Sequence, residues 1–127
     1  MKNVLLVDDD SIFNFISTSM LKRTGMVGEI HTALNGKQAL DLLNNYYMGT
    51  ASLPNVILLD LNMPIMDGFS FLEAFKKISA PRKETIRIIV VTSSHDPGDR
   101  KRAEKMGISL YLTKPLTEEV LRKALEG

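Results

Sequence analysis

Three short, uninterrupted apolar runs constrain the fold most: Val4-Leu5-Leu6-Val7, Val56-Ile57-Leu58-Leu59, and Ile86 with Ile88-Ile89-Val90-Val91. A strand with one wet face alternates apolar and polar residues. These runs do not alternate, and their β-branched content suits parallel strands covered on both faces. Weaker candidates at Glu29 to Ala33 and Ser109 to Leu112 belong at the sheet edges. Helix-length segments separate the runs: Ser11 to Thr24, Gly36 to Asn45, Gly68 to Ser79, Pro97 to Met106 and Thr117 to Glu126. Asn35 and Asp67 fit N-caps and Pro97 fits a first helical position, while Gly25 and Gly107 fit positions just past a C-terminus. The expectation is an α/β fold with a βα unit repeated five times. Tyr46 to Pro54 and Ser79 to Glu84 read as extended loops, punctuated by Gly49, Pro54 and Pro81.

The chain of 127 residues is sized for one domain, so 1–127 is expected to form a single unit. Apolar residues at 44% and charged residues at 24% allow a real core and exclude wholesale disorder. A formal net charge of +1 is too balanced to point to nucleic acid or membrane. With no cysteine, disulfides, thiolate metal sites and a cysteine nucleophile are excluded, and a cytoplasmic setting is the simple reading. His31 and His95 are too far apart in sequence for a helical metal pair. No apolar run has the length of a membrane span, and the first residues do not read as a signal peptide.

In parallel α/β sheets ligands collect beyond the C-terminal ends of the strands, so the residues there carry the functional argument. The first strand runs into Asp8-Asp9-Asp10, the third into Asp60 and the fourth into Thr92-Ser93-Ser94; the fifth is followed by Lys114-Pro115. Taken singly, each has an ordinary role in a turn, a cap or a solvated loop. Taken together, carboxylates ~4 Å apart repel by about 4 kcal/mol per pair at an effective dielectric near 20, and something positive must offset that. Mg²⁺, a hard cation that takes carboxylate, carbonyl and water oxygens, does so, and Lys114 balances charge from the opposite side. A carboxylate held ionised in this way can attack phosphorus. Thr92 and Lys114 would then hold the oxygens of the transferred group.

With Val7-Asp8-Asp9, Asp60-Leu61-Asn62-Met63-Pro64, Met66-Asp67-Gly68, Thr92-Ser93 and Tyr111-Leu112-Thr113-Lys114-Pro115 in order, the chain resembles the receiver domain of two-component response regulators. The likeness is to the stand-alone, chemotaxis-regulator type. It implies a doubly wound, five-stranded parallel sheet in the order 2-1-3-4-5, the flavodoxin-like arrangement, without an output domain. It further implies Asp60 as phosphoacceptor, Asp9 as direct Mg²⁺ ligand, Asp8 as a second acid acting mainly through water, and Asn62 as a backbone-carbonyl ligand. Thr92 and Tyr111 match the switch positions, with Ser93 small enough for Tyr111 to move inward. Asn62 and Ser94 flank the route of water to an aspartyl phosphate and tune its lifetime. Lys114-Pro115 is commonly cis in this family, an arrangement that would aim the lysine at Asp60. Asp10 has no family role and is assigned to the start of the first helix.

On the first helix, Phe13, Ile16, Met20 and Leu21, with Ser17 among them, form the expected core stripe. Phe15 falls outside it, either packing at the stripe's edge beside Ile12 or docking a histidine-bearing phosphodonor, which is the family's use of this face. Arg100, Lys101, Arg102 and Lys105 give the fourth helix a basic face, which is either simply solvated or part of an output surface with the fifth strand and fifth helix.

The expected partners are a histidine kinase or histidine phosphotransfer protein and a downstream protein. Direct contact with nucleic acid or membrane is not expected. The chain would be a monomer or a phosphorylation-driven dimer, and would catalyse only its own phosphorylation and dephosphorylation. A flavodoxin-like cofactor binder needs a phosphate-cradling loop where this chain has three aspartates. The alternatives retained are a protein-binding pseudo-receiver and a phosphohydrolase working through an aspartyl phosphate.

Overall fold

The computed structural model describes residues 1–48 and 53–127. Five strands, β1 (Lys2–Val7), β2 (Val27–Ala33), β3 (Val56–Leu59), β4 (Arg87–Thr92) and β5 (Leu110–Thr113), form one parallel sheet in the order β2-β1-β3-β4-β5. Five helices alternate with them: α1 (Ser11–Arg23), α2 (Gly36–Tyr47), α3 (Gly68–Lys77), α4 (Pro97–Lys105) and α5 (Glu118–Glu126). This is the doubly wound fold that the apolar runs imply.

Continuous apolar runs serve both faces because side chains alternate along a strand. Leu5, Val7, Ile57, Leu59 and Val90 meet Leu43, Phe71, Phe75 and Ala103 from α2, α3 and α4. Val4, Leu6, Leu58, Ile89 and Val91 meet Met20, Leu21, Leu121 and Leu125 from α1 and α5. The sheet's direction of winding reverses between β1 and β3, and the crevice at such a reversal is where ligands bind in open α/β sheets. Asp8 and Asp60 follow those two strands.

The helix ends follow their sequence signals. Asp10, Asn35, Asp67, Asp96 and Thr117 cap α1 to α5 through side-chain oxygens that accept backbone N–H bonds. Gly25 (φ 71°) and Gly107 (φ 91°) take the left-handed conformation just past α1 and α4.

Several boundaries differ from the sequence reading. β2 begins at Val27, two residues before Glu29, and β5 is shifted one residue toward Thr113. α3 stops at Lys77, and the segment expected as a loop after it includes a 3₁₀ turn at Lys83–Thr85. α2 continues through Tyr47, so the expected loop at 46–54 starts two residues inside the helix, where Tyr46 is buried in the core. Residues 49–52 of that loop lie outside the described residues.

The stripe of α1 is also corrected. Asn14, Ser17, Met20 and Leu21 are its buried residues, whereas Ile16 is half exposed and Phe13 only partly buried. The cause is Asn14, whose side-chain N–H donates to the carbonyl of Asp8 at 2.9 Å and so turns a polar residue toward the sheet. Phe15 is 74% exposed and therefore does not pack at the stripe's edge.

Candidate functional site

At the C-terminal edge of the sheet, the backbone N–H of Asp60 donates to the Val7 carbonyl at 2.9 Å, which ties the end of β3 to β1 and brings its acid beside Asp8. Gly68 makes the close approach of α3 possible. A Cβ there would stand 2.4 Å from the Asp60 carbonyl oxygen, so a larger residue would push the helix off the strand end. On the far side, the Lys114 N–H donates to the Thr92 carbonyl at 2.8 Å, bringing the lysine alongside β4. The Lys114-Pro115 bond is cis.

Asp8 and Asp60 are buried and Asp9 is exposed, and one carboxylate oxygen from each lies within 4.8 Å of the others. Hard oxygen donors of this kind fit a divalent cation of the Mg²⁺, Mn²⁺ or Ca²⁺ type. Lys114 Nζ stands 2.7 Å from Asp8 Oδ2 and 4.0 Å from Asp60 Oδ2, so it reaches both acids, with the shorter contact to Asp8. Asp8 is also held by the Asp10 N–H, which donates to its Oδ1 at 2.9 Å.

Burial pushes the pKa of Asp60 up from 3.8 to about 6, the Asp8 carboxylate pushes the same way, and Lys114, the Thr92 hydroxyl and the Asn62 backbone pull it down. Without a cation, burial and like charge outweigh the lysine; the expectation that Asp60 stays ionised is for Mg²⁺ and Lys114 together. A bound cation would act against both.

Thr92 is completely buried, and its Oγ1 accepts the Ser94 N–H at 3.2 Å, which leaves the hydroxyl proton for Asp60. Ser94 is drawn toward α4, with its Oγ donating to Asp99 Oδ2 at 2.6 Å. Asn62 is exposed on the loop beyond Asp60. Tyr111 is half-buried under the Arg100 guanidinium, 5.4 Å from its ring centre, and its hydroxyl is shut off from solvent. Burial, with the nearby Asp99 carboxylate, raises the pKa of that hydroxyl. Phe15 stands apart on the outer face of α1, where Ile12 and Ile16 are also exposed.

The sequence reading missed two neighbours of the site. Asn14 carries the backbone of Asp8, and Phe13 sets its ring 4.0 Å from Lys114 Nζ. A polar residue at the centre of an amphipathic stripe was the available signal for Asn14. Phe13 gave none, because its contact spans two elements far apart in sequence.

A parallel sheet with acids at its winding reversal and a lysine beyond β5 defines a class, and the sequence agrees. It matches the response regulator receiver domain over residues 4–126, and the chain belongs to that family. It is 36% identical over 124 residues to a chemotaxis protein CheY homolog of Campylobacter jejuni, spanning 97% of this chain and 88% of that one. A two-component response regulator from Cytophaga hutchinsonii has a similar structure, with a TM-score of 0.86 at 35% identity over 98% of this chain and 92% of that one. The Mn²⁺-bound form of response regulator Rcp1 has a TM-score of 0.79 at 30% identity, over 100% of this chain and 91% of that one. The family is one of signalling regulators, and among the described residues no helix is long and apolar enough to cross a membrane.

Proposed function

We propose that this chain is a phosphorylation-driven switch that accepts a phosphoryl group on Asp60. The observation that carries the reading is the meeting of Asp8, Asp9 and Asp60 within 4.8 Å, with Lys114 Nζ within 4.0 Å of Asp60. An Asp60 carboxylate oxygen attacks phosphorus, and the bond from phosphorus to the donor breaks. The electron pair leaves with the donor's imidazole nitrogen, or with acetate when acetyl phosphate is the donor. Lys114 and the Thr92 hydroxyl neutralise and orient the phosphoryl oxygens. Asp8, Asp9, Asp60 and the Asn62 carbonyl would hold Mg²⁺, which supplies charge neutralisation at those oxygens when bound.

The remaining roles follow from position. Thr92, drawn to the phosphoryl group, leaves space that Tyr111 fills, altering the face made by α4, β5 and α5. Ser94 and Asn62 set the lifetime of the acyl phosphate by controlling water access. The exposed Ile12, Phe15 and Ile16 dock the histidine-bearing donor, a kinase or phosphotransfer protein. The output is contact with another protein, in the cytoplasm, by a monomer or a phosphorylation-driven dimer. The protein turns over only its own phosphoryl group.

The test is intact mass after incubation with acetyl phosphate and Mg²⁺, beside Asp60→Ala and a sample with EDTA. Gain of one phosphoryl group in the wild type alone supports the reading. No adduct, together with no binding of beryllofluoride, makes the chain a protein-binding pseudo-receiver.

A further inference from the structure

The ammonium of Lys114 is walled on three sides. Asp8 Oδ2 lies at 2.7 Å, Asp60 Oδ2 at 4.0 Å and the centre of the Phe13 ring at 4.0 Å. Only 17% of the lysine side chain is exposed. Phe13 is itself held at two points: its N–H donates to the capping Asp10 Oδ1 at 3.1 Å, and its ring packs against the apolar layer beneath α1 and α5. The cap holds the backbone of Phe13, and the apolar layer supports its ring beside the lysine.

The face of an aromatic ring attracts a cation through its quadrupole but has no lone pair that fixes an N–H direction. A water or a polar side chain in the same place would accept a directed hydrogen bond and draw the ammonium outward. An aliphatic side chain would exclude water without attracting the cation. An aromatic ring does both, and it leaves the ammonium donors free to turn toward oxygens on the acid side.

We propose that Phe13 is a positioning residue for phosphorylation, holding Lys114 over the acid cluster by a cation–π contact. The inference rests on the reading of Asp60 as phosphoacceptor and adds a residue to it. Phe13 touches no reacting atom; it acts through the lysine.

The experiment measures labelling by acetyl phosphate and Mg²⁺, a donor that bypasses any docking contact of α1. It compares wild type, Phe13→Leu, Phe13→Tyr, Lys114→Ala and the double variant Phe13→Leu/Lys114→Ala, each rate scaled to the folded fraction from circular dichroism. Phe13→Leu should slow labelling about tenfold, and Phe13→Tyr, which keeps the ring, should stay within about twofold of wild type. In the Lys114→Ala background, Phe13→Leu should change nothing further, because the coupling is between those two side chains.

An unaltered rate in Phe13→Leu overturns the proposal, and so does an equal loss with and without the lysine, which would assign the ring to helix packing. If the leucine variant does not fold, Phe13→Met replaces it under the same criteria. A wild type that takes up no phosphoryl group refutes the phosphoacceptor reading itself, and the role of Phe13 falls with it.

Discussion

The two ends of the sheet use charge in opposite ways. At the N-terminal end, the Lys2 ammonium donates to the Leu125 carbonyl and the Arg87 guanidinium to the Ala124 carbonyl, both in the last turn of α5. Near the start of β4, Lys83 Nζ donates to the carbonyls of Lys76 and Ile78 at 2.9 and 2.8 Å, closing the end of α3. Helix C-termini carry unpaired carbonyls and partial negative charge, so these cations stabilise what they touch. At the C-terminal end, Asp8, Asp9 and Asp60 converge and Lys114 offsets them only in part. One end locks the helices onto the sheet, and the other holds like charges together whose repulsion a bound cation can relieve.

The largest effect expected from breaking this contrast is at Lys114, the cation that pairs with Asp8 and Asp60. Lys114→Ala should lower the rate of phosphoryl uptake from acetyl phosphate by about a hundredfold, the scale of removing one charge-stabilising donor from a reacting centre. A time course by intact mass checks it. A rate equal to wild type would mean that the lysine serves Asp8 alone.

Next in size is the cost of the buried acid. Because the folded-state pKa of Asp60 is about 6, above its ordinary 3.8, the folded protein binds this proton more tightly than the unfolded chain does. Metal-free stability should therefore fall as pH rises from about 4 through 6 and level off above, the sign set by excess proton binding in the native state. Asp60→Asn should remove that slope and raise the melting temperature at pH 7 in EDTA by roughly 3–6 °C. Added Mg²⁺ should stabilise the wild type by mass action and the variant much less. Thermal melts across pH decide this, and a wild type whose stability rises between pH 4 and 6 with no contribution from Asp60 would contradict it.

A smaller effect concerns the outer face of α1, beside the acidic end. Phe15→Ala should slow transfer from a phosphohistidine protein that labels the wild type by roughly tenfold, as for a modest interface anchor. Labelling by acetyl phosphate should be unchanged. Equal transfer rates from the protein donor would leave Phe15 as a solvated residue.

How much of this was legible in the sequence depends on whether a feature is local. The strands were, because Val4 to Val7 and Val56 to Leu59 are apolar without a break, short and bounded by polar residues, as strands covered on both faces are. The acids were also legible, since each directly follows a strand whose end fixes its position. Lys114 could be placed at the right edge and near Asp60, but its shorter contact, 2.7 Å to Asp8 against 4.0 Å to Asp60, could not be read from the sequence. Ile16 was misplaced because helical spacing weighs apolar residues alone, and the bond from Asn14 to Asp8 turned α1 toward its polar residues. Tyr46 was placed in a loop although it is a core residue, because the stop signals in the sequence, Gly49 and Pro54, do not fix how far the helix runs before them.

The smallest effect tests the stabilising end. Arg87 lies at the start of β4, and its guanidinium reaches the Ala124 carbonyl across the layer between sheet and α5. Arg87→Met keeps most of the stem and its packing while removing the charged donor. The loss should be about 1 kcal/mol, the scale of one hydrogen bond to a helix-end carbonyl together with its share of the helix dipole. For a domain of this size that lowers the melting temperature by roughly 3–5 °C. Phosphoryl uptake should not change, because the substitution lies at the opposite end of the strands from Asp60. If instead Arg87→Met slowed labelling by acetyl phosphate while leaving the melting temperature in place, the two ends would be coupled through β4, whose other end is Thr92. The division between a stabilising edge and a reactive edge would then fail.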